Sequence, residues 1–177
     1  MSISPAQVRP LQLIYVATAS AVIVFFALLL VLASSGAGDA DPSGQQSMWA
    51  AVLSIVHFMF AMGVYGFVPM LFRRMSTARS SQGEAHENPP LPVESSNAAL
   101  PRLHKALIVR LAMMESVALF GLTVCLIAIT TGMLKSEPLY WLNLTTGAVL
   151  VGFLAATFPT TERLTQALQS MVLGSSG

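Results

Sequence analysis

A cation and an acid lie inside one apolar stretch, and they are the residues most able to do chemistry in this chain. Residues 107–131 are long enough to cross a bilayer, yet they contain Arg110 and Glu115. An ionisable side chain at the centre of a membrane helix costs roughly 2.5–3.5 kcal/mol on insertion scales. Both residues therefore need shelter from other helices, from hydrogen bonds or from lipid headgroups.

The two residues differ in depth and in direction. A helix rises ~1.5 Å per residue, so Arg110 lies about 8 Å beyond Lys105 and its long side chain can reach back to headgroups. Glu115 lies about 15 Å beyond Lys105, near the midplane, and its side chain is too short to escape. The pair are about 140° apart around the helix and do not share a face. We interpret Arg110 as an interfacial anchor and Glu115 as a hydrogen-bonded acid between helices, with a proton or ion site at Glu115 as the alternative.

Three further residues complete the candidate set. His57 is the histidine inside an apolar run, and we expect it to be a hydrogen-bonded packing residue, because a second axial haem ligand would have to come from another subunit. Tyr15 falls on the position of Arg110 when the chain is shifted by 95 residues, and Ser116 directly follows the acid. The methionines have the spacing of ordinary core filling. We predict no cofactor, no metal and, in the absence of any known catalytic motif, no enzymatic activity.

The amino-acid composition indicates a protein that lies in a membrane. The chain has 177 residues, of which 54% are hydrophobic and 10% charged, whereas soluble domains carry about 25% charged residues. The net charge of +1 and the lack of a basic patch argue against a nucleic-acid partner. The single cysteine, Cys125, excludes an intrachain disulfide and is interpreted as a small buried hydrophobic residue.

Four apolar runs predict an all-α fold, a four-helix antiparallel transmembrane bundle forming one domain. We expect helices at about 11–33, 48–72, 105–132 and 139–158. Residues 73–103, rich in Ser and Pro, predict a flexible linker, and 160–173 predict a short C-terminal amphipathic helix on the membrane surface. A signal peptide is the alternative for the first run, which is longer than the usual ~7–15-residue apolar region of such peptides.

Charge asymmetry predicts the orientation. The N-terminus, the linker and the C-terminal segment hold seven of the basic residues, and the two opposite loops hold only Lys135. By the positive-inside rule both termini and the linker are expected in the cytoplasm. The 95-residue shift also suggests a duplicated helical hairpin, since it sets Ala17 on Ala112, Val22 on Val117 and Phe25 on Phe120.

Two resemblances accompany these patterns. The string ESVALFGL at residues 115–122 resembles the ion-carrying helix of rotary ATPase proteolipid (c) subunits, which implies a bound proton or sodium ion at Glu115. This chain departs from that family in placing the acid on the first helix of a hairpin and in lacking the glycine-repeat helix. More broadly, LIY at 13–15, residues 106–120 and FPTTER at 158–163 resemble an uncharacterised group of small four-helix bacterial inner-membrane proteins. That resemblance implies the fold and a bacterial inner membrane, and no mechanism.

Three classes of function remain from the sequence. The first is a non-enzymatic accessory or scaffold protein in the lipid bilayer, packing with itself as a homo-oligomer or with a larger membrane complex. The second is a proton- or ion-translocating element centred on Glu115. The third, a redox or lipid-handling membrane enzyme, lacks any recognisable set of catalytic residues. The residues that carry these hypotheses are Glu115, Arg110, His57, Tyr15 and Ser116.

Overall fold

The described part of the chain is almost entirely helical. The computed structural model describes the backbone of residues 3–36, 44–77 and 92–173, and no strand occurs in these ranges. The helices are α1 (Pro5–Ser34), α2 (Gly44–Thr77), α3 (Pro92–Thr130), α4 (Met133–Ser136), a 3₁₀ helix (Pro138–Leu144), α5 (Thr145–Ala156) and α6 (Thr161–Leu173). The predicted all-α bundle is confirmed.

Four segments have the length and composition of membrane spans. Within the described ranges they are Pro5–Ser34, Met48–Leu71, Leu100–Thr130 and Pro138–Ala156. Each coincides with one of the four apolar runs in the sequence, because only a helix satisfies every backbone group without water. The chain is therefore a multi-pass membrane protein.

Two helices extend into the segment predicted as a linker at 73–103. Helix α2 continues past Arg73 and Arg74 to Thr77, since arginine is a good helix former and a charge ends an apolar run without ending a helix. Helix α3 begins at Pro92, because proline is tolerated in the first turn, where its missing N–H has no partner to lose. The rest of the predicted linker, residues 78–91, lies outside the described residues.

The last span is not a uniform α-helix. Its first seven residues, Pro138–Leu144, form a 3₁₀ helix and the next twelve, Thr145–Ala156, an α-helix. A 3₁₀ helix rises ~2.0 Å per residue against ~1.5 Å, so the two parts reach about 14 Å and about 18 Å. Together they match the ~30 Å hydrocarbon core, which lets a span of 19 residues suffice. The short connection before it contains α4, and Gly132 with φ 74° follows the end of α3.

Helix α3 is the central helix of the bundle. Half of its span is buried within the protein, against 17% for α1 and 22% for α2. It packs against α1, α2, α5, α6 and the 3₁₀ helix. Helices α1 and α2, in contrast, make at most marginal contact with each other in the described ranges. The first hairpin is thus open while α3 and α5 are packed, and the hypothesis of a duplicated hairpin stays a prediction.

The C-terminal helix α6 packs on α3, and its expected position on the membrane surface stays a prediction. Leu164 and Leu168 are buried and belong to the same apolar cluster as Leu103 on α3. The chain enters α6 through Arg163, whose guanidinium donates to the carbonyl oxygens of Ala156 at 2.6 Å and Phe158 at 3.4 Å. These bonds satisfy carbonyls at the end of α5, where a helix lacks its own donors. The long N-terminal part of α3 supplies the apolar surface that α6 covers.

This packing predicts that truncating a buried leucine side chain on either α3 or α6 releases α6 from α3. Leu103→Ala on α3 and Leu168→Ala on α6 should each destabilise the contact by roughly 2–5 kcal/mol, the usual cost of a large-to-small core change. Limited trypsinolysis should then cleave after Arg163 faster than in the wild-type protein. The exposed Gln166→Ala is the matched control. Unchanged cleavage of Leu103→Ala would show that lipid, and not α3, covers α6.

Candidate functional site

A buried polar cluster joins α2 to the 3₁₀ helix and the start of α5. We call it the histidine cluster, formed by Ser54 and His57 of α2 with Asn143 and Thr146. His57 and Asn143 are completely buried. His57 Nδ1 lies 2.8 Å from Asn143 Oδ1, and the Asn143 amide nitrogen donates to Ser54 Oγ at 3.1 Å. The bond between residues 57 and 143 therefore links two spans that have few other contacts.

The donors and acceptors of the histidine cluster fix the imidazole tautomer. The Asn143 amide nitrogen uses both of its protons, on Ser54 Oγ and on the Tyr140 carbonyl oxygen at 3.0 Å. Asn143 Oδ1 must then accept, so His57 Nδ1 carries a proton. His57 Nε2 lies 3.3 Å from Thr146 Oγ1, which also donates to the Asn143 carbonyl oxygen at 3.0 Å.

A glycine allows α3 to approach this cluster. A Cβ at Gly121 would lie under 3.0 Å from three atoms, namely the Asn143 carbonyl oxygen, Thr146 Oγ1 at 2.6 Å and His57 Cε1 at 2.8 Å. The neighbouring Phe120 ring meets the imidazole edge-on, with centroids 5.5 Å apart. Because glycine has no side chain, three spans converge at this one point. Gly121 lies six residues beyond Glu115, about 9 Å along the helix axis.

Glu115 belongs to a second and looser polar group at the contact of α3 with α1. Its carboxylate accepts a hydrogen bond from Thr18 Oγ1 at 3.4 Å, which is long for an O–H donor. Thr18 is buried, while Glu115 is only half-buried. We call this pair the glutamate cluster. The acid is thus sheltered on its α1 side, and part of its surface faces outward.

Arg110 and Tyr15 lie together near the end of the bundle where α5 finishes. The Arg110 guanidinium carbon is 4.6 Å from the centre of the Phe153 ring, a cation–π contact that keeps the charge against protein. Tyr15 is buried, and both Thr157 and Arg110 lie close enough to influence its hydroxyl electrostatically. Its ring meets Phe158 edge-on at 6.3 Å. Arg110 and Glu115 therefore have different neighbours, as their 140° separation predicts.

The remaining candidate, Ser116, bonds within its own helix. Its hydroxyl donates to the Met113 carbonyl oxygen at 2.8 Å, and the residue is exposed. The candidate residues thus fall into separate places: Tyr15 meets Arg110, Glu115 meets Thr18, and His57 is enclosed in the histidine cluster. Among the described residues, no group of three or more His, Cys, Asp or Glu side chains could hold a metal ion.

Sequence reasoning missed the partners of His57. Asn143 is an amide inside an apolar run, and that feature alone marks it as a residue that needs hydrogen-bond partners in a membrane. Thr18 carries no such signal, because an isolated threonine can bond to its own helix. Gly121 was visible only as part of the ESVALFGL string, and its contacts with His57, Asn143 and Thr146 give it a packing role.

Comparison with known proteins adds no family. No family model, no curated protein and no solved structure matches the chain. The resemblances to proteolipid subunits and to small four-helix bacterial proteins stay predictions. The class of the protein, a multi-pass helical membrane protein, follows from its four apolar helices.

Because α3 lies so close to the histidine cluster at Gly121, adding one methyl group there should have a large effect on stability. Gly121→Ala would place Cβ against the Asn143 carbonyl and must push α3 away from the histidine cluster. We expect a loss of roughly 1–3 kcal/mol, typical of overpacking, and a lower midpoint of thermal unfolding in detergent. Gly152→Ala on α5 is the matched control, since no atom lies within 4 Å of its Cβ position. An equal effect in both variants would contradict the role given to this contact.

Proposed function

We propose that the chain is an integral membrane accessory or scaffold protein, without enzymatic activity, that packs with itself or with a larger membrane complex. The observation that supports this most is the enclosure of the histidine cluster. His57 and Asn143 have no exposed surface, and their side chains hydrogen-bond to each other and to Ser54 on α2. A polar network of this kind specifies helix packing and leaves no surface for a substrate.

The surface of the spans supports the same proposal. Helix α2 exposes large apolar side chains along most of its length, and α1 does the same. Half of the α3 span is buried and less than half of each other span, so the described part of the chain offers much more surface to its surroundings than a closed bundle of four helices would. Such a surface suits a protein whose role is to contact lipid and other membrane helices.

The alternative is a proton- or ion-translocating element centred on Glu115. The specific observation in its favour is that Glu115 is half-buried and bonded by one long contact to Thr18. A carboxyl group in that position can exchange a proton without breaking a strong network. The resemblance of residues 115–122 to the ion-carrying helix of proteolipid subunits points in the same direction.

A flux measurement decides between the two functions. Proteoliposomes containing the wild-type protein, with an imposed proton or sodium gradient, should lose the gradient no faster than vesicles without protein. Glu115→Gln, which keeps hydrogen bonding but cannot titrate, should behave identically. A wild-type flux that disappears in Glu115→Gln would refute the scaffold proposal and support translocation. Ser20→Ala, on an exposed part of α1 at similar depth, controls for leakage caused by reconstitution.

We further propose that the protein lies in a bacterial inner membrane with both termini and the 78–91 segment in the cytoplasm. The asymmetry of basic residues supports this orientation. In a Cys125→Ala background, a membrane-impermeant thiol reagent added to intact cells should label Ser136→Cys and should leave Ser4→Cys unlabelled until the cells are opened. Ser136 and Ser4 are both exposed. The reverse pattern of labelling would overturn the orientation.

A further inference from the structure

One face of α3 is left open between α1 and α2. These two helices both pack on α3 and make at most marginal contact with each other in the described ranges. Between them α3 presents a line of exposed residues spaced three or four apart, which places them on one side of the helix. We call this line the α3 stripe, and it consists of Ile108, Ala112, Ser116, Leu119 and Thr123.

The glutamate cluster lies at the border of the α3 stripe. Glu115 is about 60° around the helix from Ala112, on the side of α1, where it accepts its 3.4 Å bond from Thr18. Glu115 is only partly buried and lies near the middle of the α3 span, where water is absent and an unsatisfied polar group is costly. The shelter that the chain itself gives to this acid is therefore incomplete on the stripe side.

We infer that the α3 stripe binds the same stripe of a second copy, with the two α3 helices parallel and related by a two-fold axis along the membrane normal. This inference rests on the proposed scaffold function and names the surface by which the protein packs with itself. Ala112 and Ser116, four residues apart, are small enough to let two helix backbones approach closely. The open space between α1 and α2 provides access for the second α3.

Hydrogen-bond chemistry identifies the second copy as the occupant. Viewed down the α3 axis, Glu115 lies about 60° to one side of Ala112 and Ser116 about 40° to the other side. A two-fold rotation therefore places Ser116 of the second copy opposite Glu115 at the same depth, and the contact occurs twice. In the single chain the Ser116 hydroxyl donates to the Met113 carbonyl oxygen. Rotation of that hydroxyl toward the second copy lets it donate to Glu115, whose other hydrogen bond comes from Thr18.

Disulfide cross-linking in membranes tests the interface directly. In the Cys125→Ala background, Ala112→Cys and Leu119→Cys should each form a disulfide dimer on mild oxidation, because the stripe brings equivalent Cα atoms close to the ~4.4–6.8 Å that a disulfide requires. Ser20→Cys, exposed on α1 at similar depth but away from the stripe, is the matched control. Dimer yields at residues 112 and 119 that do not exceed the yield at residue 20 would overturn the inference.

A second measurement leaves the native cysteine in place. Ala112→Leu should weaken self-association about tenfold, since a large side chain separates the helices, whereas the exposed Ala148→Leu on α5 should not change it. Self-association is read from the mass of the detergent-solubilised wild-type protein over a concentration series. A monomer at all concentrations, a complex containing one copy with a different protein, or a stripe covered only by lipid would each overturn the inference. The flux measurement is independent of this result, so failure of the dimer and failure of the scaffold function remain distinguishable.

Discussion

The close approach of three spans at Gly121 is the constraint on which the rest of the bundle depends. Inside a bilayer no water can pair with a buried imidazole or amide, so His57 and Asn143 must find each other within the protein. They can do so only where α3 permits them to sit beside its backbone. Glycine at residue 121 provides that space, and the position of α2 relative to the last span follows from it.

The same constraint explains the irregular start of the last span. The tighter winding of the 3₁₀ helix sets Asn143 against the Tyr140 carbonyl, which also accepts from Cys125 Sγ at 3.2 Å. Side-chain hydroxyls then satisfy the carbonyls at the junction with α5, where Thr145 donates to Leu142 and Thr146 to Asn143. A regular α-helix over this segment would rotate Asn143 away from His57. The 3₁₀ geometry therefore serves both the length of the span and the placement of its amide.

Hydropathy predicted the parts of this fold that depend on one segment at a time. The four spans, the amphipathic character of α6 and the anomaly of Glu115 and Arg110 follow from residue types and helical spacing. Hydropathy could not predict the features that depend on how two segments pack against each other. The pairing of His57 with Asn143, the packing of α6 on α3 and the open side between α1 and α2 depend on which apolar faces meet, and lipid-facing and protein-facing residues are equally apolar. Nor does hydropathy show that helices α2 and α3 continue beyond the apolar runs.

The two polar clusters differ in how completely their hydrogen-bonding groups are paired. This difference distinguishes a cluster with a packing role from one with a functional role. In the histidine cluster each side-chain nitrogen has a partner, and no atom of His57 or Asn143 reaches the surface. The hydrogen bonds of this cluster therefore serve to hold the helices together. In the glutamate cluster, one long bond from Thr18 joins the described residues to a glutamate that is only partly buried. Such a group lowers its free energy when another donor or acceptor reaches it through the membrane. Among the described residues, the histidine cluster is therefore complete within the chain, whereas the glutamate cluster, at the border of the α3 stripe, is where the second copy that we propose would add a hydrogen bond.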